Sequence, residues 1–154
     1  MRRRDYLLAH VLARLVFLVP ETTVPFVFGA LAFGVPMTGG WLSLGIVVLT
    51  GAVSFSAIGL LAASRAATFE GISGVLNAVQ VPMWILSGVF FSSANFPDVL
   101  QPMIALLPLT ALVDALRAVA LDGAGPAQLV RELLVLGGWG GAAFAAALWR
   151  FRWR

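Results

Sequence analysis

The sequence predicts an all-α integral membrane protein with four transmembrane helices and a re-entrant helical hairpin on the outer face, between the third and the fourth. Three observations predict this fold. Hydrophobic residues make up 60% of the 154 residues and charged residues 11%, and the mean hydropathy is +0.97, which leaves too little polar surface for a water-soluble protein of this size. Four long apolar segments follow one another along the chain. The arginines lie mainly at the ends of those segments.

The four apolar segments are each long enough to cross a bilayer, which takes about 20 mostly apolar residues in a helix. We place the spans at about 6–35, 41–63, 71–91 and 129–149, within a single transmembrane domain that covers residues 1–154. A straight helix over the first segment would be roughly 45 Å long, more than the bilayer core. Its first turns are therefore expected in the cytoplasmic headgroup zone, with Pro20 and Pro25 bending the rest.

The orientation follows from the short links and from the arginines. The links "PMTGG" and "SRAATFEG" are rich in turn formers, and such short links force neighbouring helices to run antiparallel. Arg117 and Arg131 then fall on one side, and all other arginines fall on the opposite side. Because positively charged residues favour the cytoplasmic side, both termini are predicted to be cytoplasmic.

Residues 96–123 are predicted to be the re-entrant hairpin. The segment is apolar but is interrupted by Pro97, Pro102 and Pro108. A full crossing would move the arginine-rich C-terminus to the outside, against the charge asymmetry. We therefore expect two short helices that dip into the outer leaflet and return, covered there by protein or water.

Polar residues recur along the third span at steps of three and four residues, which places them on one face of a helix. They are Glu70, Ser73, Asn77, Gln80, Trp84 and Ser87. Polar side chains that face lipid are costly, so this face should meet other helices or a wet cavity. The stripe either holds the helices together by hydrogen bonds or lines a route for a substrate.

Two further features of the spans allow alternative interpretations. Glu21 is the most deeply placed ionisable group, and it is either functional or neutralised by a neighbouring helix. Gly137, Gly141 and Ala145 recur at four-residue steps. Small residues at that spacing let helix backbones approach closely, either within the chain or between copies of it.

Several function classes are excluded by composition. The chain has no lysine, so it contains no phosphate loop ending in Gly-Lys-Ser/Thr and is not expected to be an ATPase. An intramembrane protease is not expected either, because the single histidine, His10, lies at the cytoplasmic edge and far from the buried serines. The chain has no cysteine and a single histidine, so no metal site is expected. The net charge of +3 is explained by membrane topology and not by nucleic-acid binding.

The order of motifs in the second half resembles type-2 ATP-binding-cassette (ABC) exporter permeases. The motifs are "VPMWILSGVFFSSANFP", then "LQPMIALLPLTALVDALRAVALDG", then a last span with a basic tail. The resemblance implies that the hairpin closes an outer gate, with a "P-L-T … D-x-x-R" signature at Pro108, Thr110, Asp114 and Arg117. Asp114 and Arg117, three residues apart on a helix, either pair to hold that gate or form a weak surface pair.

The resemblance also implies the partners and the location. The "SRAATFEG" loop would contact a separate ABC ATPase, with candidate residues Ser64, Arg65, Thr68 and Glu70. ATP and magnesium would bind in that ATPase, and this chain would bind no cofactor. The permease would pair with a second copy, as a homodimer or a heterodimer, surrounded by lipid in the bacterial inner membrane. Family members have six spans, and "MRRRDYLLAH" resembles the start of their third, so we expect this chain to lack the first two.

The implied function is the transmembrane permease subunit of an exporter that moves a drug-like, lipid or glycan substrate outward. Two alternatives stay open at this point. One is a truncated, transport-incompetent remnant or helix-packing assembly partner in the membrane. The other is a channel, which would carry flux without ATP.

Overall fold

The computed structural model describes residues 3–34, 38–63, 69–89 and 96–150. Over these ranges it is all helical, without strands, as the sequence predicts. The helices are α1 (Arg3–Phe33), α2 (Trp41–Ala63), α3 (Phe69–Leu86), α4 (Gln101–Ala105), α5 (Pro108–Asp122) and α6 (Val130–Arg150), and a short 3-10 helix (Pro126–Leu129) precedes α6. The chain separates into two compact units, Met1–Met37 and Thr38–Arg154.

The first unit contains α1, which continues as helix through Pro20 and Pro25. The helix ends where Gly34 adopts a positive φ of 62° and its N–H donates to the Ala30 carbonyl at 3.1 Å. Large apolar side chains from Val16 to Leu31 are exposed within the unit. The helix therefore offers an apolar surface that this unit does not itself cover.

In the second unit, α2 and α6 form the closest helix pair. Their contact depends on Gly140, where an added Cβ would lie 2.9 Å from Ser54 Oγ and 3.0 Å from Ser54 Cα. Ser54 Oγ lies 2.8 Å from the Thr50 carbonyl oxygen of its own helix and 2.7 Å from the Leu136 carbonyl oxygen of α6. Its hydroxyl hydrogen is within reach of both, and the contact with Leu136 joins the two helices. Val47, Ala57, Leu136, Ala143 and Ala147 are buried around this contact.

Helix α5 packs onto α2 and α6 through one apolar stripe. Ala111, Ala115 and Val119 are buried at steps of four residues, as expected for the inner face of a helix. Leu112 fits against Gly51 of α2, where an added Cβ would lie 2.8 Å from Leu112 Cδ1. These contacts position the segment that the sequence predicts to be a hairpin, and both of its short helices are present.

Helix α3 packs differently, because the chain is buried only just beyond its C-terminal end. The described side chains from Glu70 to Leu86 are half-buried or exposed, whereas Ser87 and Gly88 are buried. Pro82 lies inside the helix and donates no backbone hydrogen bond, which leaves the Ala78 carbonyl without its helical partner. Gly88, with a φ of 78°, turns the chain away from the helix axis.

Among the described residues, two helical segments are long and apolar enough to cross a membrane, Trp41–Ala62 and Pro126–Trp149. They coincide with the predicted second and fourth spans. Two shorter apolar segments, Val16–Ala32 and Ser73–Leu86, lie within the predicted first and third spans. Residues 90–95, where the third span was expected to end, lie outside the described residues.

Candidate functional site

The predicted gate residues lie on α5, and α5 begins with them. Pro108 is the first residue of the helix, where its missing N–H is harmless, and the preceding Leu107 is extended with ψ of 135°. Pro108 and Thr110 are buried. The hydroxyl of Thr110 has no hydrogen-bond partner among the described residues.

Arg117 joins α5 to the end of α3. Its Nη2 donates to the Gly88 carbonyl oxygen at 2.6 Å, across 29 residues of sequence. Asp114 lies half-buried one turn earlier and outside both candidate membrane-spanning helices. Burial raises the pKa of the Asp114 carboxyl above its ordinary value, and the positive charge of Arg117 opposes that shift. Arg117 therefore has a main-chain partner on α3 as well as an electrostatic interaction with Asp114.

Trp139 holds the turn between α4 and α5. This residue lies in the middle of α6, and its indole Nε1 donates to the Leu106 carbonyl oxygen at 2.8 Å. Leu106 is the C-terminal cap of α4. A helix end leaves carbonyl groups without intrahelical partners, and the indole N–H satisfies one of them.

Thr38 holds the C-terminal end of α5. Its Oγ1 lies 3.0 Å from the Leu121 carbonyl oxygen and 3.2 Å from that of Ala120, and its N–H donates to Ala120 at 3.2 Å. Gly39 approaches the main chain of Val119 so closely that a Cβ there would clash with the carbonyl oxygen. Three side chains thus bond to main-chain carbonyls. Thr38 does so at the C-terminal end of α5, Trp139 at the C-terminal cap of α4, and Arg117 just beyond the C-terminal end of α3.

A cavity of about 300 Å³ lies between α2, α3 and the first turn of α5. Two of the predicted substrate-path residues, Gln80 and Trp84, line it together with Leu109. The other members of the α3 stripe do not line it. Ser87 is buried, with Oγ donating to the Trp84 carbonyl at 3.3 Å, Ser73 is half-buried and Asn77 is exposed. The structure therefore divides the polar stripe between a cavity wall and a helix end.

Two further predicted residues, Glu21 and Glu70, are exposed. Glu21 is exposed on α1, within the first unit. Glu70 is exposed in the first turn of α3, whereas Ser64, Arg65 and Thr68 of the predicted ATPase-contact loop lie outside the described residues.

The small residues Gly137, Gly141 and Ala145 do not form the α2–α6 contact. All three are exposed, and an added Cβ on either glycine would meet nothing within 4 Å. The α2–α6 contact uses the opposite side of α6, through Gly140. Whether the exposed stripe meets another copy of the chain stays a prediction.

Thr38, Gly88 and Trp139 were not among the predicted site residues. In the sequence, Thr38 and Gly88 look like ordinary turn residues. Thr38 donates to a main-chain carbonyl, and Gly88 accepts a hydrogen bond through its own main-chain carbonyl. Trp139 did carry a signal, because it is a lone hydrogen-bond donor in the glycine run "GGWGG" at the middle of an apolar span. An indole N–H at that depth needs a partner.

Comparison with known proteins assigns the chain to a family. The family described as "ABC-2 type transporter" matches residues 1–121. The Inner membrane transport permease YhhJ of Escherichia coli (strain K12) is 28% identical over 119 residues, which are 77% of this chain and 32% of that protein. Nodulation protein J of Bradyrhizobium diazoefficiens is 36% identical over 84 residues, 54% of this chain and 32% of that protein.

The Inner membrane transport permease YadH of Escherichia coli (strain K12) is 34% identical over 77 residues, which are 50% of this chain and 30% of that protein. The aligned part of the chain thus spans about a third of the length of the curated relatives it matches. No solved structure matches the chain. The matched region contains α1 to α4 and nearly all of α5, including the predicted gate residues. This chain is therefore a membrane protein that belongs to the ABC-2 type transporter family.

Proposed function

We propose that this chain serves in the transmembrane permease subunit of an ATP-driven exporter, which moves its substrate outward with energy from a separate ABC ATPase. The family match over residues 1–121 carries this proposal. Two relatives are named inner membrane transport permeases, which supports a transport role in the same kind of membrane. The lack of lysine supports hydrolysis in another subunit, because a phosphate loop needs that residue.

The proposed topology has four spans, α1, α2, α3 and α6, with the α4–α5 segment (residues 96–123) returning to the outer face. The apolar segments of α1 and α3 are shorter, so each of these helices would need its flanking residues to cross the membrane. The hydrogen bonds from Thr38, Arg117 and Trp139 support this arrangement. They satisfy main-chain carbonyl groups at the end of α4, at the end of α5 and just beyond α3, which would otherwise lack partners at membrane depth.

The gate proposal assigns Arg117 the main task. Its bond to Gly88 would hold α5 against the end of α3, and release of that bond would let the two elements separate. Asp114 would adjust the position of the guanidinium through its charge. A second permease copy, as homodimer or heterodimer, would complete the route, and the exposed apolar faces of α1 and α6 are available for it.

Single-cysteine labelling tests the topology, because the chain contains no cysteine. Asp98 and Glu70 are both exposed and are predicted to lie on opposite sides of the membrane. A membrane-impermeant maleimide added to intact spheroplasts should label Asp98→Cys, and should label Glu70→Cys only after the cells are opened. Equal labelling of both variants in intact cells would contradict the proposed topology.

Reconstitution tests the function. The chain, expressed with each candidate ABC ATPase from the same genome, should co-purify with one of them. In liposomes, a transported substrate should then stimulate ATP hydrolysis. Co-purification without stimulation by any amphiphile, lipid or glycan would indicate a transport-incompetent assembly partner. Substrate flux without ATP would indicate a channel.

A further inference from the structure

The cavity between α2, α3 and α5 has walls of one chemical character. Its lining includes Phe55, Ile58 and Gly59 of α2, Gln80 and Trp84 of α3, and Leu109 of α5. None of the described residues that line it is charged. Its volume of about 300 Å³ lies at the lower end of the range of small-molecule sites.

The walls select an uncharged, apolar group. A charged group would lose its hydration here and find no counter-charge, which costs several kcal/mol or more. An acyl chain or an aromatic ring would instead bury apolar surface against Phe55 and Leu109, with the Trp84 ring as a further wall. Gln80 supplies the one side-chain amide of the lining, and this amide both donates and accepts a hydrogen bond.

The cavity also has free space on the α2 side. An added Cβ on Gly59 would meet nothing within 4 Å. Leu109, on the α5 side, lies one residue after Pro108, so the first turn of α5 forms part of the wall. An occupant would therefore contact the helix that Arg117 ties to α3.

We propose that this cavity is a binding site within one subunit for the apolar part of an amphiphilic substrate, either an acyl chain or an aromatic ring system. Gln80 hydrogen-bonds to the polar atom next to that apolar part. The site rests on the proposed export function, and it narrows the substrate to molecules that carry such a group. A glycan without a lipid does not fit these walls.

Photo-crosslinking tests the site. The probe is a monoacylglycerol whose acyl chain carries a diazirine, added to the purified chain in lipid nanodiscs, and mass spectrometry maps the adducts. We expect adducts on the cavity-facing residues of α2 and α3, and fewer on the exposed faces of α6. An excess of unlabelled monoacylglycerol should reduce the cavity adducts, and an excess of a lipid-free oligosaccharide should not.

Two glycines of α2 provide a matched pair of variants. Gly59→Leu fills the cavity, and adduct formation there should fall roughly tenfold or more, corresponding to at least about 1.4 kcal/mol of binding free energy. Gly45→Leu adds the same side chain to α2 where an added Cβ also meets nothing within 4 Å, and this residue does not line the cavity. The control should label like the unmodified chain.

Three results would overturn the proposal. One is equal loss of labelling in both variants, another is full labelling in Gly59→Leu, and the third is adducts spread evenly over the lipid-facing surfaces. The last result would mean that ordinary bilayer lipid, and not a bound group, fills the space.

The labelling needs neither an ATPase nor transport, so its failure is separable from that of the export proposal. Cavity labelling without ATPase stimulation would contradict export alone. Stimulation by an amphiphile that is unchanged in Gly59→Leu would contradict the cavity site alone.

Discussion

The α2–α6 pair and helix α3 show two opposite ways of packing a membrane helix in one chain. The first pair brings backbones together at Gly140 and joins them through the buried hydroxyl of Ser54. The described side chains of helix α3 are half-buried or exposed, and the chain is buried only just beyond its C-terminal end. There the side chain of Arg117 donates to the Gly88 carbonyl.

This difference indicates which helices of the second unit are fixed relative to each other. A contact made by close backbones and a buried hydrogen bond cannot slide without losing both, so α2 and α6 form a scaffold. Helix α3 has only half-buried and exposed side chains among its described residues, so it can move at lower cost. Since α3 also forms a wall of the cavity, we expect its movement, and not that of α2 or α6, to accompany binding.

The largest loss of stability is expected when a side chain is added at Gly140. A valine there would place atoms against Ser54 Oγ and Cα, and overpacking of this kind costs about 1–3 kcal/mol or more. Gly140→Val should therefore lower the free energy of unfolding strongly, measured in detergent by thermal denaturation. Gly141→Val is the matched control, because its added Cβ meets nothing within 4 Å. Equal destabilisation by both would remove the distinction between the two sides of α6.

The second prediction concerns the tie at the end of α3. Arg117→Leu removes the hydrogen bond to Gly88 and should cost about 1.5–3 kcal/mol, the usual range for a bond from a charged donor. It should also increase the mobility of a spin label at Val79 on α3, which is exposed. Arg117→Lys keeps a hydrogen-bond donor and should retain part of the stabilisation.

Asp114→Asn separates the two partners of Arg117. Burial raises the pKa of the Asp114 carboxyl, so its ionised form destabilises the fold, and stability should fall as the pH rises through the raised pKa. Asparagine removes this pH dependence and should leave the α3 spin label unchanged. If it mobilises α3 as much as Arg117→Leu does, the carboxylate and not the carbonyl of Gly88 holds the arginine in place.

The sequence predicts the helices but not the hydrogen bonds between them. Periodicity and hydropathy located α2 at the bounds Trp41 and Ala63 that the structure has, because a lipid-facing helix must be apolar along its whole length. They selected Gly137 and Gly141 over Gly140, since a four-residue repeat of small residues does not say which side of a helix meets a neighbour. The bonds to Gly88, Leu106 and Leu121 use main-chain carbonyls, which every residue has and no sequence pattern marks.

The fourth prediction tests whether α6 holds the α4–α5 turn in place. Trp139→Phe keeps an aromatic ring and removes the N–H that bonds to Leu106. The loss should cost about 1 kcal/mol, typical of a neutral hydrogen bond. Hydrogen exchange should become faster in residues 101–107 and stay unchanged in α2. Unchanged exchange in that turn would mean that apolar packing alone holds it.

The smallest effect is expected at Thr110, and it has the opposite sign. Its hydroxyl is buried without a partner among the described residues, so it loses hydration and regains nothing. Valine has nearly the same shape and no hydroxyl, so Thr110→Val should raise the free energy of unfolding by up to about 1 kcal/mol. Ser54→Ala is the contrasting variant, because that buried hydroxyl is bonded and its removal should destabilise. If Thr110→Val also destabilises, its hydroxyl bonds to a group outside the described residues.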